Sequence, residues 1–67
     1  MIEIVLNGRT RQVETGMTLQ LLLARLELPP GRVAVERNQS VVPRSRYASE
    51  PVEAGDRLEV VTLVGGG

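Results

Sequence analysis

The sequence predicts an α+β fold in which a mixed sheet of four to five strands packs on one helix. Short apolar runs that alternate with polar residues occur near both ends of the chain and in its middle, and one stretch has helical periodicity. Turn-forming residues separate these segments. At 67 residues the chain is long enough for one small domain. One helix covers only one face of a sheet, so the other face is left to solvent or to a partner.

Residues 1–14 are predicted to form a β-hairpin. Ile2, Ile4 and Leu6 alternate with other residues, which is the pattern of a half-buried strand. The dipeptide at 7–8 is Asn-Gly, the strongest short-range hairpin signal, because both residues tolerate positive φ. Here it is interpreted as a turn and not as a functional site.

Residues 18–28 are predicted to form the helix. Thr18 is a favourable N-cap, because its side-chain oxygen accepts a hydrogen bond from a free amide of the first turn. The sequence Pro-Pro-Gly at 29–31 ends the helix. Four leucines at helical spacing form the face that should pack on the sheet: Leu19, Leu22, Leu23 and Leu26.

The second half of the chain is predicted to supply the other strands. Residues 33–35 and 41–43 read as short strands on either side of a polar turn. Residues 44–56 read as an irregular loop, with Tyr47 packing beneath it. The last strand is predicted over 57–64, where apolar and polar residues alternate.

The composition excludes several classes of protein. There is no cysteine and no histidine, which argues against disulfides and a structural zinc site. The net charge is zero and the chain has one aromatic residue, whereas nucleic-acid binding needs basic clusters and usually stacking rings. No apolar run is long enough to span a bilayer, and no secretory signal is evident. We therefore expect a soluble, cytoplasmic protein.

The chain ends in three glycines, Gly65, Gly66 and Gly67. Glycine has the most backbone freedom to lose on folding, so this run does not serve stability. Without side chains the tail is a thin thread of roughly 10 Å when extended. The run is interpreted either as a frayed terminus or as a thread that can enter a narrow active site, where a partner using ATP converts the Gly67 carboxylate to an acyl adenylate. The domain is accordingly predicted over 1–64, with 65–67 as a flexible tail.

Several short motifs together resemble the ThiS family of sulfur carriers, over essentially the whole chain. They are Leu6-Asn7-Gly8, the capped helix start Thr18-Leu19 with Leu22 and Leu23, and the segment 33–38. To these are added Val41-Val42-Pro43-Arg44, the segment 55–61 that begins Gly-Asp, and Val64-Gly65-Gly66-Gly67. The resemblance implies a ubiquitin-like β-grasp fold.

The resemblance also implies a carrier cycle in thiamine biosynthesis. A ThiF-like enzyme adenylates Gly67 with ATP, sulfur from a donor such as a cysteine desulfurase replaces AMP, and a thiocarboxylate results. A ThiG-like thiazole synthase then receives the sulfur. The chain itself is expected to bind no cofactor and to catalyse no step, since ATP is used by the partner.

Alternation along the first and last strands predicts a partner-binding patch. Val5, Val61 and Leu63 should lie on the face that the helix does not cover, with Val64 beside them at the start of the tail. The alternative interpretation is ordinary surface hydrophobicity, or a register misread by one residue. An interface role for Arg44 and Arg46 is the less favoured interpretation of those residues.

Other functions remain open from the sequence. Related carriers deliver sulfur to molybdopterin, to cysteine or to tRNA. A ubiquitin-like interaction module, or a modifier that is conjugated to lysines, is also compatible with the predicted fold. An enzyme is disfavoured, since so thin a core leaves little room for a pocket. The acidic residues Glu50, Glu53 and Asp56 match no metal-binding spacing.

Overall fold

The computed structural model describes residues 1–28 and 32–63. Within them the chain forms five β-strands, one α-helix and one short 3₁₀ helix. In chain order these elements are β1 (Ile2–Leu6), β2 (Arg9–Val13), α1 (Leu19–Arg25), β3 (Arg32–Arg37), β4 (Ser40–Val42), the 3₁₀ helix (Arg44–Arg46) and β5 (Arg57–Leu63).

The strands form one mixed sheet in the order β2-β1-β5-β3-β4. β5 runs parallel to β1 and antiparallel to β3, so the last strand lies at the centre of the sheet. This arrangement confirms the predicted α+β class and the mixed sheet packed on one helix. The predicted last strand extended to residue 64, which lies outside the described residues.

Two tight turns join neighbouring strands. Asn7 (φ 49°) and Gly8 (φ 81°) join β1 to β2, and both have the positive φ that a two-residue hairpin turn requires. Asn38 (φ 49°) and Gln39 (φ 71°) join β3 to β4 in the same way. The predicted N-terminal hairpin and the predicted polar turn between the two later strands are both confirmed.

The helix α1 begins where predicted but ends earlier. The hydroxyl oxygen of Thr18 accepts a hydrogen bond from the backbone N–H of Leu21 at 3.2 Å, which confirms the predicted cap. At Leu26 the backbone turns extended (φ −83°, ψ 134°), so the predicted range 18–28 was too long. The reason is tertiary, because the side chains of Leu26 and Leu28 pack against the core.

The core lies between α1 and the inner face of the sheet. The predicted leucine face of the helix is confirmed, since Leu19 and Leu22 are buried and Leu23 and Leu26 pack against them. The buried apolar side chains come from nearly every described element: Ile4, Leu6, Val13, Met17, Leu19, Leu22, Val35, Val42, Val52, Leu58 and Val60.

The loop from residue 43 to 56 lies along the start of α1. The N–H of Val52 donates to the carbonyl of Met17 at 2.7 Å, and the N–H of Leu19 donates to the carbonyl of Glu50 at 2.9 Å. Tyr47 is half-buried against the core, which confirms its predicted packing role. In the part of the chain that the structure describes, no helix has the length and apolarity to span a membrane.

Candidate functional site

The face of the sheet turned away from α1 carries two exposed apolar side chains of β5, Val61 and Leu63. They are 52% and 57% exposed, whereas Leu58 and Val60, which alternate with them, are buried. Ala34 of β3 lies opposite Val61, so the side chain next to Val61 on that strand is small. Since side chains alternate along a strand and α1 covers the other face, the predicted outward orientation of both residues is confirmed. We call Val61 and Leu63 the β5 patch.

Val5 lies on the same face but apart from the β5 patch. The parallel register places Val5 beside Arg57. Val61 is four positions further along β5, which corresponds to about 13 Å along a strand. The expectation that these apolar residues form one patch was therefore wrong for Val5, because β1 meets only the beginning of β5. Val64 and the glycines at 65–67 lie outside the described residues, and their roles stay predictions.

Charged side chains occupy the face between Val5 and the β5 patch. Glu59 of β5 lies directly opposite Glu36 of β3, and both are exposed. Like charges in directly opposite positions weaken strand pairing. A depression of about 130 Å³ lies here, lined by residues that include Val5, Glu36, Arg57 and Glu59. It is smaller than the pockets that hold drug-sized ligands, so this face is better suited to contact with a protein.

The side chain of Asn7 continues the sheet beyond the end of β1. Its Nδ2 donates to the carbonyl of Val60 at 3.2 Å, and its Oδ1 accepts from the N–H of Val60 at 2.8 Å. The backbone N–H of Asn7 also donates to the carbonyl of Leu58 at 2.9 Å. The amide therefore takes the place of one more peptide group of β1. This role was not predicted from the sequence, although an Asn side chain has both the donor and the acceptor it needs.

Arg37 holds the loop before β5 in place. Its guanidinium lies 2.7 Å from an Asp56 carboxylate oxygen, 2.8 Å from a Glu50 carboxylate oxygen and 2.7 Å from the carbonyl of Pro51. Asp56 is only 6% exposed and also accepts from the N–H of Glu53 at 2.8 Å. Glu50 and Asp56 of the acidic cluster noted in the sequence are thus paired within the fold. The role of Arg37 was not predicted from the sequence, although alternation along β3 places this residue on the inner face.

The described residues provide surfaces for contact with other molecules. Within residues 1–28 and 32–63, no group of three or more acidic side chains is arranged to hold a metal ion. Arg44 is exposed, and Arg46 lies 3.9 Å from a carboxylate oxygen of Glu50. An interface role for either arginine stays a prediction. The predicted chemical group, the carboxylate of Gly67, lies outside the described residues.

Comparison with known proteins identifies the group to which this architecture is similar. The sequence model of the ThiS family matches residues 4–67. The chain is 30% identical to a sulfur carrier protein ThiS of Escherichia coli, over 98% of this chain and 100% of that protein. A crystal structure of a thiamine biosynthesis protein (ThiS) from Geobacter metallireducens superposes with a TM-score of 0.84 at 28% identity. That match covers 98% of this chain and 100% of the Geobacter chain.

A longer protein contains a similar segment. The chain is 44% identical to part of a thiazole synthase of Paramagnetospirillum magneticum, over 98% of this chain. The match covers 20% of that protein, so the chain spans about a fifth of the length of this relative. The similarity is therefore to one portion of the thiazole synthase and not to the whole.

Proposed function

Because the chain belongs to the ThiS family, we propose that it is a sulfur carrier of thiamine biosynthesis, with the carboxylate of Gly67 as its working group. The observation that carries this proposal is the family match, which extends to the last residue of the chain. The relative from Escherichia coli that carries the name sulfur carrier protein matches over its full length. The β-grasp fold agrees with it, since the Geobacter ThiS structure has the same fold.

The proposed chemistry takes place at the tail. A carboxylate oxygen of Gly67 attacks the α-phosphorus of ATP, which gives the acyl adenylate and releases pyrophosphate. A sulfur nucleophile at the level of sulfide then attacks the acyl carbon, AMP leaves, and a thiocarboxylate remains. No oxidant or reductant is needed for these two steps when the sulfur arrives as sulfide. The chain itself supplies no acid, base or bound cofactor, because the adenylating enzyme binds the ATP.

Three kinds of partner follow from this chemistry. One is a ThiF-like adenylating enzyme, and a second is a sulfur donor such as a cysteine desulfurase, whose enzyme-bound persulfide needs a thiol reductant to deliver its sulfur at the level of sulfide. The third is a ThiG-like thiazole synthase, and this choice of acceptor is supported by the 44% identity to a segment of a thiazole synthase. Since adenylation consumes ATP, we place the whole cycle in the cytoplasm.

The β5 patch is the proposed contact surface for the adenylating enzyme. Val61 and Leu63 lie on the strand that leads directly to the tail, so a partner holding the tail lies close to them. Exposed apolar side chains at the centre of an interface supply much of its binding energy. Val64, which follows them in the sequence, belongs to the same proposed surface. Val5 lies beyond the charged residues of the same face, so any contact that it makes with the enzyme is separate from the β5 patch.

Intact mass spectrometry tests the carrier function. The protein is incubated with ATP, an adenylating enzyme of the ThiF type and a sulfide source. The expected product is heavier by the difference between one sulfur and one oxygen atom. A variant lacking Gly65, Gly66 and Gly67 should keep its thermal unfolding temperature, because the buried core runs from Ile4 to Val60. It should show no mass change.

Controls make a negative result informative. The adenylating enzyme is first shown to convert its own carrier under the same conditions. A variant with one alanine added after Gly67 moves the carboxylate without changing the folded domain, and it should react poorly. If the unmodified protein stays unchanged while the reference carrier reacts, the proposed carrier function is wrong for this class of partner.

A further inference from the structure

β2 forms one edge of the sheet, and among residues 1–28 and 32–63 no further strand pairs with its outer side. The N–H of Val5 donates to Asp56 and the carbonyl of Glu3 accepts from Gly55, so both residues direct their backbone groups toward the loop and β5. Their partners across the hairpin are Thr10 and Gln12. In an antiparallel pair such residues are not hydrogen-bonded to each other. The N–H and carbonyl groups of Thr10 and Gln12 therefore point away from β1, toward the free edge.

A groove runs beside this edge, between β2 and α1. It has a volume of about 150 Å³, and its floor is formed by Val13, Met17 and Leu22, with Leu26 at the side. The three floor residues are 3% to 7% exposed, so the floor is apolar. The volume is too small for a cofactor or a drug-sized ligand but accommodates one or two aliphatic side chains.

The rim of the groove is basic. Arg11 and Arg25 both line it, together with Glu14. Arg25 is paired with Glu14 at 3.0 Å, whereas no carboxylate of residues 1–28 or 32–63 lies within 4.0 Å of the Arg11 guanidinium. Arg11 shares the inner face of β2 with Val13, because their partners Ile4 and Ile2 both alternate inward. The groove therefore changes along β2 from apolar at one end to positively charged at the other.

We propose that this groove, which we call the β2–α1 groove, is a second binding site, for an extended peptide segment of a partner protein. The segment adds to the sheet as a sixth strand beside β2, with hydrogen bonds to Thr10 and Gln12. It places aliphatic side chains from alternate positions against Val13 and Met17, and a carboxylate of an Asp or Glu side chain against Arg11. Backbone pairing supplies affinity, and the two kinds of side chain supply specificity.

The site is independent of the proposed carrier chemistry. The groove opens at the β2 edge on the helix side of the sheet, whereas Val61 and Leu63 lie on the outer face. A partner segment bound in the groove therefore leaves the β5 patch uncovered. Failure of the carrier experiment would not affect this site, and failure of the peptide experiment would not affect the carrier function.

The probe is a synthetic peptide in which valine alternates with serine, flanked at both ends by aspartates. It is titrated into the isotopically labelled full chain, and backbone amide shifts are followed by NMR. The expected result is saturable shifts at Thr10, Gln12 and Glu14, with little change at Val61. A peptide of the same composition with a central proline cannot pair as a strand and should bind more weakly.

Two variants distinguish the contribution of backbone pairing to peptide binding from the contribution of charge. Gln12→Pro removes an outward N–H without touching the β1–β2 hydrogen bonds, and proline is tolerated on such an edge. We expect its affinity for the peptide to fall about tenfold. Arg11→Glu should weaken binding similarly by charge repulsion. Arg44→Glu, in the exposed 3₁₀ helix, is the matched control and should bind as the unmodified protein does.

Three results would overturn the proposal. The first is the absence of saturable shifts along β2. The second is unchanged affinity in Gln12→Pro, or in Thr10→Pro should the former variant not fold. The third is a concentration-dependent dimer without peptide that perturbs the same amides, because the occupant would then be the β2 edge of a second copy.

Discussion

Asn7 supports the fold through both its backbone and its side chain. Its φ of 49° forms the first residue of the hairpin turn, and Asn accepts positive φ more readily than most residues. Its amide then pairs with both backbone groups of Val60. Neither Asp nor Gly satisfies all of these requirements, since Asp lacks the donor and Gly lacks the side chain. One residue therefore sets the turn and extends the sheet.

Replacing Asn7 by glycine isolates the contribution of the amide. Asn7→Gly keeps the positive φ but leaves the N–H and carbonyl of Val60 without their partners. We expect the free energy of unfolding to fall by about 2 kcal/mol, measured by urea denaturation. Gln39→Gly is the matched control, because Gln39 has φ 71° and no side-chain hydrogen bond among the described residues. Equal losses in the two variants would attribute the effect to glycine flexibility instead.

At the scale of one element, β5 divides its side chains between stability and recognition. Leu58 and Val60 are buried, and Val61 and Leu63 are exposed on the opposite face. The strand is the most central in the sheet and also the one that leads to the tail. A substitution on its outer face should therefore change binding to a partner without changing the core.

Val61→Asp tests this division. A carboxylate at an apolar contact must be desolvated on binding, so we expect affinity for the adenylating enzyme to fall at least about tenfold. The thermal unfolding temperature should stay close to that of the unmodified protein, because Val61 is 52% exposed. Both quantities are measured, by isothermal titration calorimetry and circular dichroism.

Leu21→Asp is the control for Val61→Asp. Leu21 is 51% exposed and lies on α1, away from the outer face of the sheet. The Leu21→Asp variant should bind the adenylating enzyme with the affinity of the unmodified protein. Unchanged affinity in Val61→Asp, or an equal loss in both variants, would remove the β5 patch as the docking surface.

Across the whole molecule, Arg37 joins parts of the chain that are distant in sequence. From the end of β3 it binds the carboxylates of Glu50 and Asp56 and the carbonyl of Pro51. The loop that carries these groups also contacts the start of α1, since the carbonyl of Glu50 accepts from the N–H of Leu19. The long irregular segment is thereby held against both the sheet and the helix.

Replacing Arg37 by methionine should destabilise the domain. Arg37→Met leaves the carboxylate of Asp56 poorly compensated at 6% exposure. We expect the free energy of unfolding to fall by about 3 kcal/mol in urea denaturation. Arg25→Met removes an ion pair whose side chains are 58% and 61% exposed, and it should cost less than about 1 kcal/mol. Similar losses in both variants would show that Arg37 acts only as a surface charge.

The sequence predicted the features that depend on local periodicity and turn chemistry. These include the hairpin at Asn7-Gly8, the Thr18 cap, the leucine face and the alternation along β5. It did not predict the helix end, the separation of Val5 from Val61 or the contacts of Arg37. The helix end depends on how Leu26 and Leu28 pack against the core. The other two features depend on which strands become neighbours, and local patterns do not encode the parallel register of β1 and β5. The sequence therefore predicted which face of the sheet carries the candidate site, but not how its residues are spaced along that face.

The central position of β5 also determines how the domain responds to a pull. Tension applied at the tail runs along β5, which is bonded to β3 on one side and to β1 and Asn7 on the other. Such a load shears many hydrogen bonds together instead of opening them one by one. Under the proposed carrier function, an enzyme that draws the tail into its active site therefore moves the domain as one folded body.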